Sequence, residues 1–197
     1  EYKRLEGDLF EISLDNKLTK LTSAPGREHS PSFSENGKQL AYLSASNAPN
    51  PYRNHKLNIM TWRTKKSEMI ASDFDRSIQN PTWIGSSKLA MSYDDFGKRK
   101  LATISTSGKI KDLTDTVSGT TLGRPYLSGS FSANYAGDIA YTLGTSERPS
   151  NVAMVSKRGK VQQLTSLNED LLAHKRLGKV HEIDYKSSFD GEAIQGW

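Results

Sequence analysis

The sequence lacks cysteine and long apolar runs. Its 197 residues include no cysteine, and only 35% are hydrophobic. Without cysteine there can be no disulfide, thiolate zinc site or cysteine nucleophile. No apolar stretch approaches the roughly 18 residues of a membrane helix. No charged-then-apolar segment opens the chain, so we expect a cytoplasmic protein without membrane contact, with the periplasm as the alternative location.

Motifs that carry common chemistry are also missing. The sequence contains no Gly-x-Ser-x-Gly nucleophile elbow, no His-Glu-x-x-His metal motif and no Gly-rich phosphate loop. Asp94 and Asp95 are adjacent, but no Asp-x-Asp-x-Asp-Gly calcium loop surrounds them, which favours a polar turn. None of the four histidines stands at metal-ligand spacing from another: His29, His55, His174 and His181. We therefore expect no catalytic residue, metal or cofactor in this chain.

A short two-strand motif recurs along the chain. Residues Ser30–Ser44 read as two strands joined by a tight turn at Glu35–Lys38, where Asn and Gly tolerate positive φ. The motif returns at Pro81–Met91 and Gly129–Tyr141. Its aromatic residues, at positions 33, 83 and 131, are 50 and 48 residues apart. A period of roughly 40 to 50 residues with several short strands is typical of propeller blades.

A second repeat closes each unit. The pair Leu-Thr stands at positions 21–22, 113–114 and 164–165, and Ile70-Ala71 takes the same place in the second unit. The steps are 49, 43 and 51 residues, and each pair follows a predicted hairpin. Each full unit therefore supplies four strands, as one blade of a β-propeller does.

These repeats predict an all-β chain. Residues 1–166 would form a β-propeller fragment of about three and a half four-stranded blades: a half blade at 1–22 and blades at 30–71, 77–114 and 128–165. A linker at 167–178, with a short helix suggested by its charge order, leads to residues 179–197. There a hairpin around Asp190-Gly191 departs from the blade pattern, so we expect the start of another domain.

Three and a half blades cannot close a ring. Seven or eight blades of this period would need roughly 340 to 390 residues. An open arc exposes strand edges that isolated proteins avoid. We therefore expect a fragment that is completed by missing blades or another chain, or that self-associates.

The net charge of +5 comes largely from Lys and Arg clusters that we predict at hairpin tips. Such clusters keep sheet edges solvated and discourage strand pairing. Without interleaved exposed aromatic residues they do not indicate nucleic-acid binding. The clusters are Arg63, Lys65 and Lys66; Lys98, Arg99 and Lys100; and Lys157, Arg158 and Lys160.

The repeated strand motif resembles a propeller repeat shared by periplasmic translocation-type proteins and the prolyl oligopeptidase family of serine peptidases. Residues Ile139–Leu172 resemble the last blade of acylaminoacyl peptidases, and Leu177–Trp197 resembles the segment that enters their catalytic α/β-hydrolase domain. The resemblance implies a propeller that admits only short peptides to a hydrolase domain, whose triad would lie beyond Trp197. The alternative is a stand-alone propeller that serves as a protein-interaction scaffold.

One inter-blade connection stands out as a candidate binding segment. Thr116–Leu127 is longer than the typical 2 to 6 residues and carries Arg124, Pro125 and Tyr126. An arginine there can pair with a peptide carboxylate or carbonyl, and a tyrosine can stack. We predict Arg124 and Tyr126 as substrate-binding residues, with a Pro-stiffened loop as the alternative. Three other aromatic residues are expected to pack between sheets: Trp62, Trp83 and Phe131.

Overall fold

A computed structural model describes residues 6–46, 53–119 and 129–197. Sixteen strands and one short helix form in this part of the chain. In order they are β1 Phe10–Ile12, β2 Leu18–Lys20, β3 Gly26–Phe33, β4 Gln39–Ser46, β5 Lys56–Thr61, β6 Lys66–Ile70, β7 Gln79–Trp83, β8 Lys88–Asp95, β9 Lys98–Ser105, β10 Ile110–Val117, β11 Phe131–Ala133, β12 Ile139–Thr145, β13 Arg148–Val155, β14 Val161–Gln163, α1 Glu169–Leu172, β15 Ile183–Lys186 and β16 Ala193–Gly196.

The strands pair with their sequence neighbours in antiparallel sheets. Strands β1 and β2 form a separate hairpin, called the first hairpin, and β3–β6 form a four-stranded sheet, called blade 2. Strands β7–β10 form blade 3 and β11–β14 form blade 4, joined by a single bridge between Val117 and Leu143. Strands β15 and β16 form the terminal hairpin. This is a β-propeller arc, as the repeat period predicts.

The predicted tight turn joins the first two strands of each blade. In blade 2 the Asn36 side chain accepts a hydrogen bond from the Lys38 backbone N–H at 3.0 Å, and Gly37 adopts a φ of 66°. Gly85 and Gly137 take the equivalent positions with φ values of 71° and 90°. Glycine adopts these angles without steric cost, which explains its recurrence in the motif.

The hydrophobic core lies between the facing surfaces of adjacent sheets. Successive residues of a strand face opposite sides, so a blade between two neighbours is apolar on both faces. In β8, Leu89 and Met91 pack towards blade 2, whereas Ala90 packs towards blade 4. In β4, Leu43 packs towards blade 3 and Tyr42 towards the first hairpin. This alternation stacks the blades face to face.

Trp83 is the clearest inter-blade residue. Its side chain is only 3% exposed, and its indole N–H donates a hydrogen bond to the backbone oxygen of Ser32 in blade 2 at 2.9 Å. The equivalent Phe131 is half-buried and packs against the apolar cluster between blades 3 and 4. Phe33 is more exposed, and its ring meets Trp62 edge-on at 4.7 Å. The predicted packing of an aromatic side chain between two sheets is therefore most complete at Trp83.

The two ends of the blades carry different connections. One end, called the crossing face, holds the links between blades and the links from the second to the third strand of a blade. The other end, called the turn face, holds the remaining hairpin turns, such as the one at Asn36-Gly37. Side chains brought together at the crossing face therefore come from distant parts of the sequence.

The observed strand bounds differ from the expected ones in places. Strand β3 begins at Gly26, not Ser30, because the residues before Ser30 pair with the end of β4. Strand β10 continues past Thr114 to Val117 through two irregularities in its pairing. Lys98–Lys100 is not a hairpin tip but the start of β9, which follows the turn at Phe96-Gly97. No helix within the described ranges is long and apolar enough to cross a membrane.

Candidate functional site

The predicted binding residues Arg124 and Tyr126 lie outside the described residues, as does Pro125. The residues that flank them are held firmly. The Ser118 backbone N–H donates to Thr142 O at 2.9 Å, and the Ser150 hydroxyl donates to the Gly119 oxygen at 2.8 Å. A side chain at Gly144 would approach Ser118 Oγ to 2.7 Å, so glycine is needed for this close contact. Blade 4 therefore anchors the approach to the predicted binding segment.

A cleft of about 510 Å³ opens at the crossing face of blade 2. This volume is within the range of about 300 to 1,000 Å³ typical of small-ligand sites. Its walls come from the connection before β3, the start of β3, the end of β4, the residues around the start of β5, and β6. The lining residues are Ala24, Pro25, Arg27, Glu28, Ser44, Ala45, Ser46, Arg53, Asn54, Lys56 and Met69.

Three cationic side chains line this cleft, which we call the basic cleft. Arg53 donates from Nη1 to the Ser46 backbone oxygen at 2.5 Å. Lys56 donates from Nζ to the backbone oxygens of Ser72 and Phe74, at 3.0 and 2.5 Å. Arg27 is exposed at the start of β3, and its guanidinium has no hydrogen bond or ion pair among the described residues. Among the described residues, Lys56 is therefore bound by neutral groups, and Arg27 is open to a ligand.

One carboxyl group lies in the same cleft. Glu28 is buried at 6% exposure and accepts a hydrogen bond from the Thr22 hydroxyl at 3.2 Å. Burial raises the pKa of Glu28 above its ordinary value, and the nearby charge of Asp8 adds to this effect. Even with Glu28 ionised, the lining carries three cationic side chains and one carboxyl group. The cleft therefore keeps a net positive character.

Two histidines meet beside the cleft. The rings of His29 and His55 make an edge contact with centroids 4.9 Å apart, although 26 residues separate them in the sequence. Burial lowers the pKa of both side chains, and the charge of Arg27 lowers both further. His29 Nδ1 lies 2.9 Å from Ser30 Oγ, whereas its Nε2 is buried without a hydrogen-bond partner in the described structure. Across the described ranges, no three His, Cys, Asp or Glu side chains gather to hold a metal ion.

Asp94 and Asp95 close β8 and join an ionic network on blade 3. Asp94 accepts two hydrogen bonds from Arg99, at 2.8 and 2.9 Å. Asp95 pairs with Lys100 at 2.7 Å and with Arg76 at 2.8 Å. Burial opposes ionisation of Asp94, but the hydrogen bonds from Arg99 prevail and lower its pKa. Every member is paired, so this cluster ties the blade 2–blade 3 connection to blade 3 and leaves no group for a ligand.

Next to this network the terminal hairpin contacts the crossing face. The Trp197 ring lies against Gly97 so closely that a methyl group at Gly97 would overlap it. Gly97 adopts a φ of 68° in the turn between β8 and β9. Asp115 raises the pKa of Lys98, and Glu182, just before the terminal hairpin, adds a smaller effect of the same sign. The terminal hairpin therefore lies at the crossing face of blade 3.

The sequence did not indicate the basic cleft. Arg27, Arg53 and Lys56 belong to a strand, a connection and a second strand, and no motif links them. The pairing of Arg27 with Ala45 and of Lys56 with Ser44 brings them to one end of the sheet. A correct prediction of strand register in blade 2 could have located this cluster.

The fold is similar to propellers of solved structure. The β-propeller domain of the Trilobed protease from Pyrococcus furiosus matches with a TM-score of 0.60 at 18% identity, covering 85% of this chain and 46% of that one. TolB from Acinetobacter baumannii matches with a TM-score of 0.58 at 14% identity, over 95% of this chain and 48% of that one. Prolyl oligopeptidase B from Galerina marginata matches with a TM-score of 0.58 at 15% identity, over 94% of this chain and 26% of that one.

These likenesses establish the β-propeller fold, which many functions share. The chain spans less than half the length of each of these three structures. No model of a known protein family and no curated protein matches the sequence.

Proposed function

We propose that this chain is the propeller part of a serine peptidase of the prolyl oligopeptidase family, of the acylaminoacyl or dipeptidyl type, and that it gates short peptides to a hydrolase domain. The observation that carries this proposal is the terminal hairpin. It follows the last blade, and its four-residue strands depart from the blade repeat. A scaffold propeller has no need of such an element.

The structural likenesses support the same function. Two of the three propellers described above belong to a protease and a prolyl oligopeptidase. The terminal hairpin lies at the crossing face through Trp197 and Gly97. A hydrolase domain that follows the hairpin would sit over this face, to which the basic cleft also opens. Peptides on their way to such a domain would pass this cleft.

The test is made on the full-length protein. We expect a Gly-x-Ser-x-Gly motif roughly 100 residues beyond Trp197 and turnover of acylaminoacyl or dipeptidyl chromogenic substrates that a serine-reactive inhibitor abolishes. In that protein Arg124→Ala should weaken peptide binding by about 1 to 3 kcal/mol, seen as a higher KM with folding intact, since a charge-assisted contact is lost. Arg63→Ala, at an exposed tip of the turn face, is the matched control.

A scaffold function is the second candidate. The likeness to TolB covers 95% of this chain, a larger share than the protease propeller covers. A full-length protein without the nucleophile motif, and without turnover of either substrate class, would favour the scaffold and contradict the peptidase proposal.

A further inference from the structure

We propose that the basic cleft of blade 2 binds the carboxylate of a peptide, with Arg27 as its principal ligand and with Arg53 and Lys56 beside it. The peptide as ligand rests on the proposed function, whereas the need for an anion rests on the cleft alone. This site is distinct from the predicted segment with Arg124 and Tyr126, which follows blade 3.

The lining of the basic cleft has an excess of positive charge. Its lining holds three cationic side chains and a single carboxyl group, Glu28. That carboxyl accepts a hydrogen bond from the Thr22 hydroxyl at 3.2 Å, and among the described residues it forms no ion pair with Arg27 or Lys56. Cations that share a concave surface repel one another unless an anion lies between them. The lining therefore favours a negatively charged ligand.

The hydrogen bonding of Lys56 and Arg27 leaves their positive charge open to an anion. Lys56 binds only backbone oxygens in the described structure, so its charge is oriented but not neutralised. Arg27 keeps its planar guanidinium available, and a guanidinium binds a carboxylate through two parallel hydrogen bonds. Arg27 also lies close enough to act on both His29 and His55. Its positive field therefore reaches the interior of this end of the blade.

The remaining lining suits a peptide. Ser44 and Ser46 offer hydroxyl groups for peptide N–H and C=O groups, and Ala45 and Met69 offer apolar surface. The Asn54 side chain is already engaged, since it donates to Asp75 Oδ1 at 2.9 Å and accepts from the Ser77 hydroxyl at 3.4 Å. Met69 is 46% exposed on β6, so its side chain is accessible to a ligand in the cleft. A cleft of about 510 Å³ has room for a short peptide end rather than for a bare ion.

The experiment titrates the 15N-labelled chain with N-acetylated tetra-alanine that has a free carboxyl terminus and with the same peptide as its carboxamide. We expect amide shifts around Arg27 and Asn54, and an affinity for the acid at least about tenfold higher than for the carboxamide, since a charge-assisted contact is lost. Arg27→Gln should reduce the affinity for the acid by about tenfold or more and leave the carboxamide unchanged. Arg63→Gln, on the turn face, should change neither.

Equal affinities for the acid and the carboxamide would overturn the proposal, as would an unaltered affinity in Arg27→Gln with a native amide spectrum. Should Arg27→Gln not fold, Arg27→Lys retains the charge without the planar fork and should bind the acid with intermediate affinity. Inorganic phosphate that binds at the same residues more tightly than the peptide acid would also overturn it, in favour of a phosphate site. Because no hydrolysis is measured, failure here is separate from failure of the peptidase proposal.

Discussion

Trp83 joins two sheets with a single side chain. It fills the space between blades 2 and 3 and donates to Ser32 O at 2.9 Å. Trp83→Ala should lower the free energy of unfolding by about 3 to 5 kcal/mol, since a large buried aromatic side chain is lost. Trp83→Phe keeps much of the packing and should cost less. Chemical denaturation measures both variants.

Trp197 offers the matched control because it is 58% exposed. Trp197→Ala should leave the denaturation midpoint of the propeller nearly unchanged. If Trp83→Ala were no more destabilising than Trp197→Ala, the inter-blade position of Trp83 would be wrong. The sequence predicted this position through the repeated aromatic residue, but it did not predict the hydrogen bond.

His29 and His55 make stability depend on pH. Burial and Arg27 lower the pKa of both below the ordinary value of 6.5, so the folded state favours neutral rings. The unfolded chain then binds more protons near pH 6, and the free energy of unfolding falls as pH decreases from about 7.5 through 6.5 and below. We expect a His29→Gln, His55→Gln double variant to flatten this slope in denaturation measured from pH 8 to 5.

The carboxyl groups of Asp95 and Asp115 affect stability over a lower pH range than the histidines. Hydrogen bonds from Lys100 and Arg76 lower the pKa of Asp95, and Lys98 lowers the pKa of Asp115. Their stabilising effect is present above the ordinary pKa of 3.8 and is lost as pH falls below it.

The control for the histidine double variant is His174→Gln, because His174 is far from His29 and His55 in the sequence. A double variant whose stability keeps the same slope with pH would contradict the role of His29 and His55.

The contact between the terminal hairpin and blade 3 can be tested by comparing alanine substitutions at two glycines. Gly97 and Gly37 adopt nearly the same positive φ, 68° and 66°. A methyl group at Gly97 would overlap the Trp197 ring, whereas nothing lies within 4 Å at Gly37. Both Gly→Ala variants should lose about 1 to 2 kcal/mol from backbone strain. Only Gly97→Ala should release Trp197, which limited proteolysis of the terminal hairpin would detect as faster cleavage.

Equal cleavage rates in the two variants would show that Trp197 does not hold the hairpin to blade 3. The hairpin itself was predicted from alternating residues around Asp190-Gly191, and the structure confirms it as β15 and β16. Its assignment to the start of a hydrolase domain stays a prediction, since paired strands alone do not identify the domain that they begin.

For the whole molecule, apolar exposure at both ends of the arc predicts self-association. In the first hairpin Phe10 is 50% and Ile12 67% exposed, and in blade 4 Val152 is 41% exposed. Exposed sheet faces and edges of this kind associate unless they are covered. Sedimentation should show an average mass that rises with concentration, and Ile12→Ser should reduce this rise.

The matched control is Leu177→Ser, in the connection before the terminal hairpin, which should leave the association unchanged. A monomer at all concentrations would contradict the prediction. It would indicate that the arc is stable with its outer faces exposed.

A second prediction at this scale concerns activity. The chain alone should hydrolyse neither acylaminoacyl nor dipeptidyl chromogenic substrates, because its sequence contains no nucleophile elbow. The assay includes a serine-reactive inhibitor as a control for contaminating hydrolases. Turnover by the purified chain that resists this inhibitor would contradict the prediction.

Residue spacing was sufficient to predict the all-β class, the blade period, the tight turns and the terminal hairpin. These features depend on interactions between residues close in the sequence, such as the turn at Asn36-Gly37 and the alternation along β8. Their patterns are therefore visible in the chain itself. The predicted site residues Arg124 and Tyr126 lie outside the described residues, so their role stays a prediction.

The tertiary structure alone placed Arg27 with Arg53 and Lys56, His29 with His55, and Trp197 with Gly97. None of these groupings follows a repeat or a motif, because each brings together side chains from separate elements. Their proximity depends on strand register and on the stacking of the blades, and a shift of one residue in register would turn each side chain to the opposite face of its sheet. The positive charge of the basic cleft is therefore a property of the folded arc.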